Sequence, residues 1–410
     1  MGDRVILHID CNSFYASVEQ VFRPELAEVP MAVCGDPEGR HGIILAKNEK
    51  AKAYGIATAE TIWQAKRKCP ELVLVPPRMD EYRRFSRRIN AIYADYTDMV
   101  EPFSLDESWL DVTGSQQLFG DGKTIADTIR RRVREEIGVT VSVGVSFNKV
   151  FAKLGSDYKK PDATTVFLRE DVPQKVWPLP VTSLLFVGRS AAATLEKSHI
   201  YTIGDLARAD RELLVRLLGK LGDTLCDYAR GLDDSPVAKL GDSREIKSVG
   251  NGMTFRRDLA SEEDIRLGLH VLCDSVAHRL RRSGLRGWTV QVTIKDTNLK
   301  SITRQTTLPR ATDLSSEMLE AAMALTLANR PAAIRMLTVT VSGLTDDTTG
   351  EQTSLFAEEQ LPDLDNRRRL EHTLDRLRDR YGWSSVRPGA TLQNDLGIDE
   401  SAPRGADDET

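Results

Sequence analysis

Acidic residues follow apolar segments at two places in the sequence. Asp10 ends the apolar run of "RVILHID", and Asp106 and Glu107 lie within "EPFSLDESWLDV". Carboxylates that converge repel one another unless a cation lies between them, and hard divalent cations such as Mg²⁺ prefer carboxylate oxygens. Two such ions about 4 Å apart suit in-line displacement at phosphorus. The three acids therefore predict a metal site for phosphoryl transfer, and the alternative is three surface acids at loop ends.

The apolar alternation changes phase within the second acidic segment. Phe103 and Leu105 occupy one phase of the alternation, whereas Leu110 and Val112 occupy the other. In a straight strand the side chains of Asp106 and Glu107 would point to opposite faces. We therefore expect a turn or bulge at these two residues, which would let both acids lean to one side.

Aromatic and basic residues accompany the acids. Phe14 and Tyr15 open a helical pattern directly after the strand that ends at Asp10. Several lysines follow a strand or precede one and could neutralise a triphosphate, although exposed lysines are common in any protein. These candidates are Lys47, Lys50, Lys52, Lys159 and Lys160.

Composition excludes several classes of protein. The chain has 410 residues, of which 40% are hydrophobic and 29% charged, as is typical of globular proteins with two to four domains. It contains no run of 18 apolar residues and no signal-peptide pattern, so we expect neither a membrane span nor secretion. Its five cysteines are dispersed, which indicates reduced thiols in the cytoplasm rather than disulfides or a zinc site.

The order of predicted elements divides the chain. Strands and helices alternate over the first 170 residues, which indicates an α/β or α+β domain. Short helical segments alone occupy residues 172–235, and a polar connector follows. Residues from 246 onward then predict the order β-α-β-β-α-β, which is the ferredoxin-like arrangement.

Charge is distributed unevenly over these segments. Residues 281–310 carry seven basic residues against one acidic residue, whereas residues 351–410 carry 14 acidic and eight basic residues. A basic stripe on a sheet suits a polyanion, although a solvated surface is the simpler explanation. The candidate DNA-binding residues are Arg281, Arg282, Lys295, Lys300 and Arg304.

The end of the chain predicts one helix and a disordered terminus. Leu370, Leu374, Leu377 and Tyr381 recur at the spacing of an amphipathic helix. After Trp383 the sequence is rich in Gly, Ser, Pro and acidic residues, so we expect disorder through the last residue.

Together these segments resemble the Y-family DNA polymerases, and within them the DNA polymerase IV branch. "HIDCNSFYASVE", "SLDES" and "GVSFNKVFAKLGSDYKKP" are similar to the three conserved motifs of that family, in order and at its spacing. The resemblance spans residues 4–345 and implies an α+β multidomain, right-hand polymerase fold with palm, fingers, helical thumb and ferredoxin-like little finger. The implied boundaries are palm 1–18 and 78–168, fingers 19–77, thumb 169–235, linker 236–242, little finger 243–345 and tail 346–410.

The resemblance assigns the metal ligands. Asp10, Asp106 and Glu107 match the catalytic acids of the family, and the backbone carbonyl of Cys11 matches an additional ligand. The implied cofactor is a pair of Mg²⁺ ions, for which Mn²⁺ can substitute. The implied reaction joins a primer 3′-OH to the α-phosphate of a dNTP.

The resemblance also assigns the nucleotide contacts. Phe14 matches the aromatic floor beneath the sugar and triphosphate, and Tyr15 matches the steric gate that excludes a ribose 2′-OH. Lys160 matches a lysine that contacts the triphosphate. The turn through Asn12 and Ser13 is expected to present backbone groups to the phosphates.

Two positions depart from the family pattern. Where the family usually has a tyrosine and an arginine in the fingers, this chain has Glu49 and Lys52. Lys52 keeps the positive charge of the arginine but not its bidentate geometry. The Gly-x-Gly turn usual in the thumb is replaced by Phe186-Val187-Gly188.

The tail contains a short motif for a partner. "QTSLF" resembles the peptide with which bacterial polymerases bind the sliding clamp, with Gln352 as an anchor and Leu355 and Phe356 in an apolar pocket. The other implied partners are primer–template DNA and dNTPs. We expect a monomer without membrane contact, located in the bacterial cytoplasm and at the nucleoid when engaged.

The implied function is low-fidelity translesion DNA synthesis without proofreading. A different possibility is a catalytically silent relative that serves as a clamp-binding scaffold. Such relatives are expected to lack the metal acids, whereas this chain has all three. A palm-fold nucleotidyl cyclase would leave the helical and basic ferredoxin-like segments without a purpose.

Overall fold

The computed structural model describes residues 3–36, 42–242, 245–346, 361–392 and 394–398. The chain divides into two compact units between residues 243 and 244, which we call the N-terminal unit and the C-terminal unit. In the described ranges, no helix combines the length and the apolar character that crossing a membrane requires.

The N-terminal unit contains two β-sheets. The strands described in it are β1 (Ile6–Cys11), β2 (Met31–Cys34), β3 (Ile44–Lys47), β4 (Val73–Val75), β5 (Val100–Pro102), β6 (Glu107–Asp111), β7 (Val141–Ser146) and β8 (Thr164–Phe167). The central sheet has the order β5-β6-β1-β7-β8, and the small sheet has the order β3-β2-β4. The middle strand of the central sheet is therefore β1, the apolar run that ends in acid.

Burial explains the composition of β1. All six of its residues are buried, because it pairs with β6 on one side and β7 on the other while its side chains lie in two apolar clusters. A strand covered on both faces requires a nearly continuous apolar run. The strand is thus a rigid support for Asp10 and Cys11 at its end.

Helices surround both sheets. Those described in the N-terminal unit are α1 (Phe14–Phe22), α2 (Glu49–Ala53), α3 (Ile62–Lys68), α4 (Met79–Ala94), α5 (Gln116–Phe119), α6 (Gly122–Arg132), α7 (Lys149–Tyr158), α8 (Arg189–Glu196), α9 (Ile203–Arg208), α10 (Arg211–Leu218) and α11 (Lys220–Arg230). Helices α8 to α11 share a core that is separate from that of the small sheet.

Helix α7 lies unusually close to the central sheet. It begins where the Asn148 side chain accepts a hydrogen bond from the Phe151 N–H, a typical N-cap. On β7, a Cβ at Gly144 would lie 1.9 Å from the Ala152 carbonyl oxygen of α7. Because only glycine permits this approach, the side chains of α7 reach across to the neighbouring strands.

The turn before α8 retains a glycine-like backbone at a phenylalanine. Phe186 has a φ of 68° and its side chain is 55% exposed. This left-handed conformation is uncommon for bulky residues and favours glycine. Phe186 therefore occupies the position of the first glycine in the Gly-x-Gly turn that the family resemblance led us to expect.

The C-terminal unit has the β-α-β-β-α-β order expected from the sequence. Its described elements are β9 (Ser248–Leu259), α12 (Glu262–Arg282), β10 (Leu285–Asp296), β11 (Ser301–Thr312), α13 (Ser315–Asn329), β12 (Ile334–Asp346) and α14 (Leu361–Tyr381). The strands form one antiparallel sheet with the order β11-β10-β12-β9. Alternate residues of β10, such as Val290 and Val292, lie in an apolar core with residues of α12 and α13.

The end of the chain differs from our expectation. We expected disorder after Trp383. That expectation is wrong for the described residues up to 398, because Leu396 and Ile398 are buried in the core of the C-terminal unit. The Arg256 N–H also donates to the Leu396 carbonyl at 3.0 Å. Composition alone suggested disorder, but these two apolar residues dock the segment.

Helix α14 is present, but it docks through charged residues rather than through its apolar stripe. Leu370 and Tyr381 are 60% and 63% exposed, whereas Asp375 and Arg378 are buried. Arg378 forms two bonds with Asp274 of α12, at 2.8 and 3.0 Å. The face of α14 that contacts the C-terminal unit is therefore an ionic one.

Asp375 is the centre of this ionic contact. Its carboxylate bonds the Arg281 guanidinium at 2.6 Å and His278 Nδ1 at 2.9 Å. Arg281 also bonds Glu371. Burial favours the protonated acid, but His278 and Arg281 outweigh it and hold the pKa of Asp375 at about 2. The contribution of Asp375 to stability is therefore present above about pH 4 and is lost as the pH falls toward 2.

We predict that Asp375→Asn destabilises the C-terminal unit by about 3 kcal/mol at pH 7, because it removes one partner of a buried ion pair. Asp379→Asn, on the exposed face of the same helix, is the control and should change little. Chemical denaturation followed by circular dichroism measures both free energies of unfolding. Equal values for the two variants would contradict the ionic docking of α14.

Candidate active site

The three predicted acids lie at one edge of the central sheet. Asp10 is directly opposite Glu107 in the β1–β6 register, and residues opposite each other in an antiparallel pair share a face. The Cys11 N–H donates to the Asp106 carbonyl at 3.0 Å. The chain bends over residues 104–106 before β6 begins, which confirms the turn expected from the change of phase.

Each carboxylate is bonded to a different partner. Lys160 Nζ lies 2.7 Å from Asp10 Oδ2 and also 2.7 Å from Asp157. Ser104 Oγ donates to Asp106 Oδ1 at 2.7 Å. Glu107 Oε2 is bonded by the Lys153 ammonium, which reaches it from α7.

His8 lies on the other side of Glu107. It is fully buried, and its Nε2 is 3.2 Å from Glu107 Oε2. Burial lowers the pKa of His8 to about 4, so the ring is neutral at pH 7. Ser156 Oγ donates to the Lys153 carbonyl at 2.8 Å and also lies 2.8 Å from His8 Nδ1. The positive charge beside Glu107 therefore comes from Lys153, and His8 is a neutral neighbour of the same carboxylate.

Burial and neighbouring charge perturb all three acids. Burial raises the pKa of Asp10 to about 6, against the effect of Lys160 and with that of the other two carboxylates. Burial also raises the pKa of Asp106. Burial favours neutral Glu107 too, but the His8 and Lys153 contacts outweigh it and hold the pKa of Glu107 at about 2.

The donor set fits a hard divalent cation in its chemistry. The ligands are carboxylate oxygens, and the pKa values of Asp10 and Asp106 are raised by burial first and by neighbouring carboxylates second, both of which a bound cation would offset. The three side chains do not yet converge, because Glu107 is turned toward Lys153. Within the part of the chain that the structure describes, no three His, Cys, Asp or Glu side chains are grouped to hold a metal ion.

A cleft of about 300 Å³ opens beside Asp10 and Asp106. Its walls come from the β1–α1 turn, from β3 and α2 of the small sheet, and from Lys160. The lining residues are Asp10, Cys11, Asn12, Ser13, Phe14, Leu45, Ala46, Lys47, Lys52, Thr58, Asp106 and Lys160. Acids at one end and ammonium groups along the walls suit a phosphorylated ligand that carries a metal ion.

The two aromatic residues of the opening motif have different surroundings. Phe14 is buried and lines the cleft. Tyr15 is half-buried and stacks on Tyr82, with ring centroids 4.2 Å apart and an interplanar angle of 10°. The Tyr82 hydroxyl donates to buried Glu19 at 2.8 Å, and the Arg78 guanidinium bonds both oxygens of that carboxylate. The Tyr15 ring therefore stacks on Tyr82, whose own position is fixed by the bond from its hydroxyl to Glu19.

The turn after Asp10 differs in part from expectation. The Asn12 N–H donates to the Thr140 carbonyl at 2.9 Å, and its side-chain amide bonds the hydroxyls of Thr140 and Ser142. Asn12 thus fastens the turn to the sheet and does not direct its N–H at a phosphate. Ser13 has a φ of 51°, a left-handed conformation that reverses the chain between β1 and α1.

The two residues that depart from the family pattern, Glu49 and Lys52, form an ion pair. Lys52 Nζ lies 2.5 Å from Glu49 Oε1, and both side chains are exposed. Ser13 Oγ is 3.4 Å from the same Glu49 oxygen. Glu49 therefore pairs with Lys52, which lines the cleft.

Residues that sequence reasoning missed include Lys153, His8 and Thr58. Lys153 and His8 occur in quoted motifs, but nothing in the sequence shows that both approach Glu107. Thr58 accepts a hydrogen bond from Lys47 at 2.9 Å on the cleft wall. Lys47 was a candidate for neutralising a triphosphate, but nothing in the sequence indicated that it would bond Thr58 across a loop.

The basic residues of the C-terminal unit do not form one surface. Arg281 is wrong as a DNA contact, because its side chain is only 3% exposed and bonds Glu371 and Asp375. Arg304 is opposite Val292 in the register and donates to Asn329 of α13, so it lies on the helix side of the sheet.

The other three basic candidates are dispersed over this unit. Lys295 occupies the alternate phase of β10, on the open side of the sheet. Lys300 is exposed in the turn that follows β10, and Arg282 is exposed at the end of α12. Of the five candidates, Lys295 alone lies within a strand with its side chain on the open face.

Comparison with known proteins agrees with this architecture. Residues 9–157 match the impB/mucB/samB family, and residues 246–355 match the C-terminal domain of that family. A DNA polymerase IV of Acetivibrio thermocellus is 50% identical over 396 residues, which cover 95% of this chain and 98% of the relative. The DNA polymerase IV 1 of Bacillus subtilis is 37% identical and covers 96% of this chain and 94% of the relative.

A solved structure confirms the fold. A Y-family DNA polymerase chimera superposes with a TM-score of 0.74 at 22% identity, covering 83% of this chain and 99% of the chimera. The α+β polymerase fold expected from the resemblance is thus confirmed. This chain belongs to the Y family of DNA polymerases, in its DNA polymerase IV branch.

Proposed function

We propose that the acid-lined end of the cleft joins a dNTP to a primer 3′-OH, with two divalent cations held by this chain. The chain is a DNA-directed DNA polymerase of the translesion type by its family. The observation that carries the proposal is the set of acids on one sheet edge, beside a cleft lined by lysines. The catalytically silent scaffold is not favoured, because the homologues are DNA polymerases and this chain has all three acids.

Asp10, Asp106 and Glu107 would hold the ions, together with the backbone carbonyl of Cys11. When bound, Mg²⁺ would supply the positive charge that favours a deprotonated primer 3′-OH and stabilises the leaving pyrophosphate; Mn²⁺ has similar ligand preferences. The chain itself supplies a rigid mount, because the side chain of Asp10 projects from the end of a strand that is buried on both faces.

Lysines of the cleft would bind the triphosphate. Lys160 is 33% exposed and already bridges Asp10 and Asp157, so its ammonium can neutralise a phosphate that arrives between them. Lys52 and Lys47 line the opposite wall. Because Glu49 bonds Lys52, the fingers of this chain present a weaker phosphate clamp than a free arginine would.

Phe14 and Tyr15 would select the sugar. Phe14 forms part of the cleft wall next to Asp10, and Tyr15 follows it on α1. The stack of Tyr15 on Tyr82 fixes the ring, which supports its assignment as the barrier to a ribose 2′-OH. A rigid barrier discriminates by steric exclusion, since the ring cannot retreat from an added hydroxyl.

The remaining contacts are with DNA and with a clamp. Arg282, Lys295 and Lys300 are proposed to contact the DNA backbone, which would position the duplex without reading its sequence, whereas Arg304 lies on the helix side of the sheet. The clamp motif from Gln352 to Phe356 lies outside the described residues, between β12 and α14. We also place the enzyme in the cytoplasm, as a monomer that joins the nucleoid when engaged.

Asp106→Asn should reduce primer extension at least about 100-fold, because it removes one carboxylate from the proposed metal site. Single-nucleotide incorporation on primed DNA with Mg²⁺ measures the rate. Asp98→Asn is the control, since Asp98 pairs with Lys239 away from the cleft. Extension by Asp106→Asn at the rate of the control would refute the catalytic assignment.

Tyr15→Ala should raise the ratio of kcat/KM for a ribonucleotide to that for the matching deoxynucleotide by roughly 100-fold, because it removes the steric barrier. Val21→Ala on the same helix, exposed at its far end, provides the matched control. An unchanged ratio in Tyr15→Ala would remove this residue from the gate role.

Replacing Gln352, Leu355 and Phe356 with alanine should abolish stimulation by the sliding clamp and leave distributive synthesis unchanged, because the peptide acts only through its partner. The control replaces Thr353 and Ser354, the two intervening residues. Processivity on a primed circular template, with and without clamp, measures the effect. Equal loss in both assays would show that the segment has a structural role instead.

A further inference from the structure

We propose that Lys153 is a built-in competitor of the divalent cation: it holds Glu107 away from Asp10 and Asp106, and this hold lowers the affinity of the site for the cation. The proposal rests on the proposed function, because it concerns the ligands assigned there. Lys153 is a positioning residue, since it would act on Glu107 and not on the substrate.

The geometry gives Glu107 one dominant partner. The Lys153 ammonium bonds Glu107 Oε2. His8 Nε2 lies 3.2 Å from the same oxygen but has no hydrogen-bond partner among the described residues. The attraction that keeps Glu107 turned away from the other acids therefore comes from Lys153.

Packing keeps the Lys153 ammonium in place. Its side chain is 16% exposed, and Nζ lies 5.5 Å from the centre of the Phe103 ring, a cation–π contact. The helix that carries Lys153 is pressed onto β7 at Gly144, where a Cβ would clash with the Ala152 carbonyl. The Phe103 ring and the close packing of the helix on β7 therefore restrict the movement of the Lys153 ammonium away from Glu107.

The Lys153 ammonium has less freedom to leave its carboxylate than the Lys160 ammonium has. Both lysines neutralise a predicted metal ligand, Glu107 and Asp10 respectively. Lys160 lines the cleft, is more exposed and also bonds Asp157, so it can transfer to an incoming triphosphate. Lys153 is not among the described residues that line the cleft, so its charge stays beside Glu107 whether or not a nucleotide binds.

A fixed positive charge beside a ligand should weaken cation binding in two ways. It repels the ion, and it holds the carboxylate in an orientation that leaves Asp10 and Asp106 without their third partner. An isosteric neutral side chain at position 153 removes both effects. A purely structural role for Lys153 predicts the opposite, since loss of packing would loosen the site.

The test is the affinity of the full-length chain for Mn²⁺ alone, without DNA or nucleotide. Electron paramagnetic resonance of free Mn²⁺ gives the dissociation constant directly. We expect Lys153→Met to bind Mn²⁺ at least about tenfold more tightly than the wild type. Lys153→Arg, which keeps the charge, and Lys149→Met, one helical turn away in a 2.6 Å pair with Glu101, should stay within about twofold.

A double-mutant cycle assigns the effect to Glu107. In a Glu107→Gln background, Lys153→Met should tighten Mn²⁺ binding much less, because the carboxylate that Lys153 neutralises is gone. An equal gain in both backgrounds would overturn the proposal, as would unchanged or weaker binding in Lys153→Met with a native circular dichroism spectrum.

One further variant separates this proposal from the proposed function. If Asp106→Asn weakens Mn²⁺ binding while Lys153→Met leaves it unchanged, the competitor role is overturned and the metal site stands. If Asp106→Asn has no effect on Mn²⁺ binding, the metal site itself is refuted, and the competitor role with it.

Discussion

The balance of charge at the edge of the central sheet is the constraint on which the rest of the structure depends. Asp10, Asp106 and Glu107 are brought together by a backbone register that leaves little choice of position. Buried like charges are unfavourable unless cations or hydrogen bonds accompany them. Lys160 and Lys153 supply two positive charges from different elements. With Asp157, which shares Lys160, four carboxylates face two ammonium groups, and divalent cations can offset the excess of negative charge.

The surrounding strands, helices and turns fix the positions of the side chains at the acidic edge of the central sheet. A strand buried on both faces fixes Asp10, and the glycine at position 144 brings α7 close enough to place Lys153 beside Glu107. The turn after β1 is fastened by Asn12, and the helix that follows fixes Tyr15 against Tyr82. A rigid site of this kind suits phosphoryl transfer, in which positioning and charge stabilisation account for most of the catalysis.

Sequence reasoning succeeded where local patterns carry the information. The apolar run before Asp10 predicted a buried strand, and the change of phase near Asp106 predicted the turn. The order of elements predicted the ferredoxin-like unit. These signals are local because burial and strand alternation repeat every second residue. The Lys153 bond to Glu107 and the approach of His8 to the same carboxylate were not predictable, since they join residues about 46 and 99 positions apart in sequence.

The errors in the C-terminal unit have the same cause. Arg281 belongs to a basic stretch, but its acidic partners lie about 90 residues later on α14. The residues after Trp383 have the composition of a disordered segment, yet among the described ones Leu396 and Ile398 are buried. Composition reports average tendencies, and in both cases a few long-range contacts outweigh it.

The most direct test of the account is the position of Mn²⁺ in crystals of the protein with primed DNA and a non-hydrolysable dNTP analogue, located by anomalous diffraction. We predict Mn²⁺ bonded to the carboxylates of Asp10 and Asp106, with Glu107 turned away from Lys153 to join them. Mn²⁺ bound elsewhere, or Glu107 still bonded to Lys153 while the metal is present, would contradict the central claim that this edge is completed by a cation.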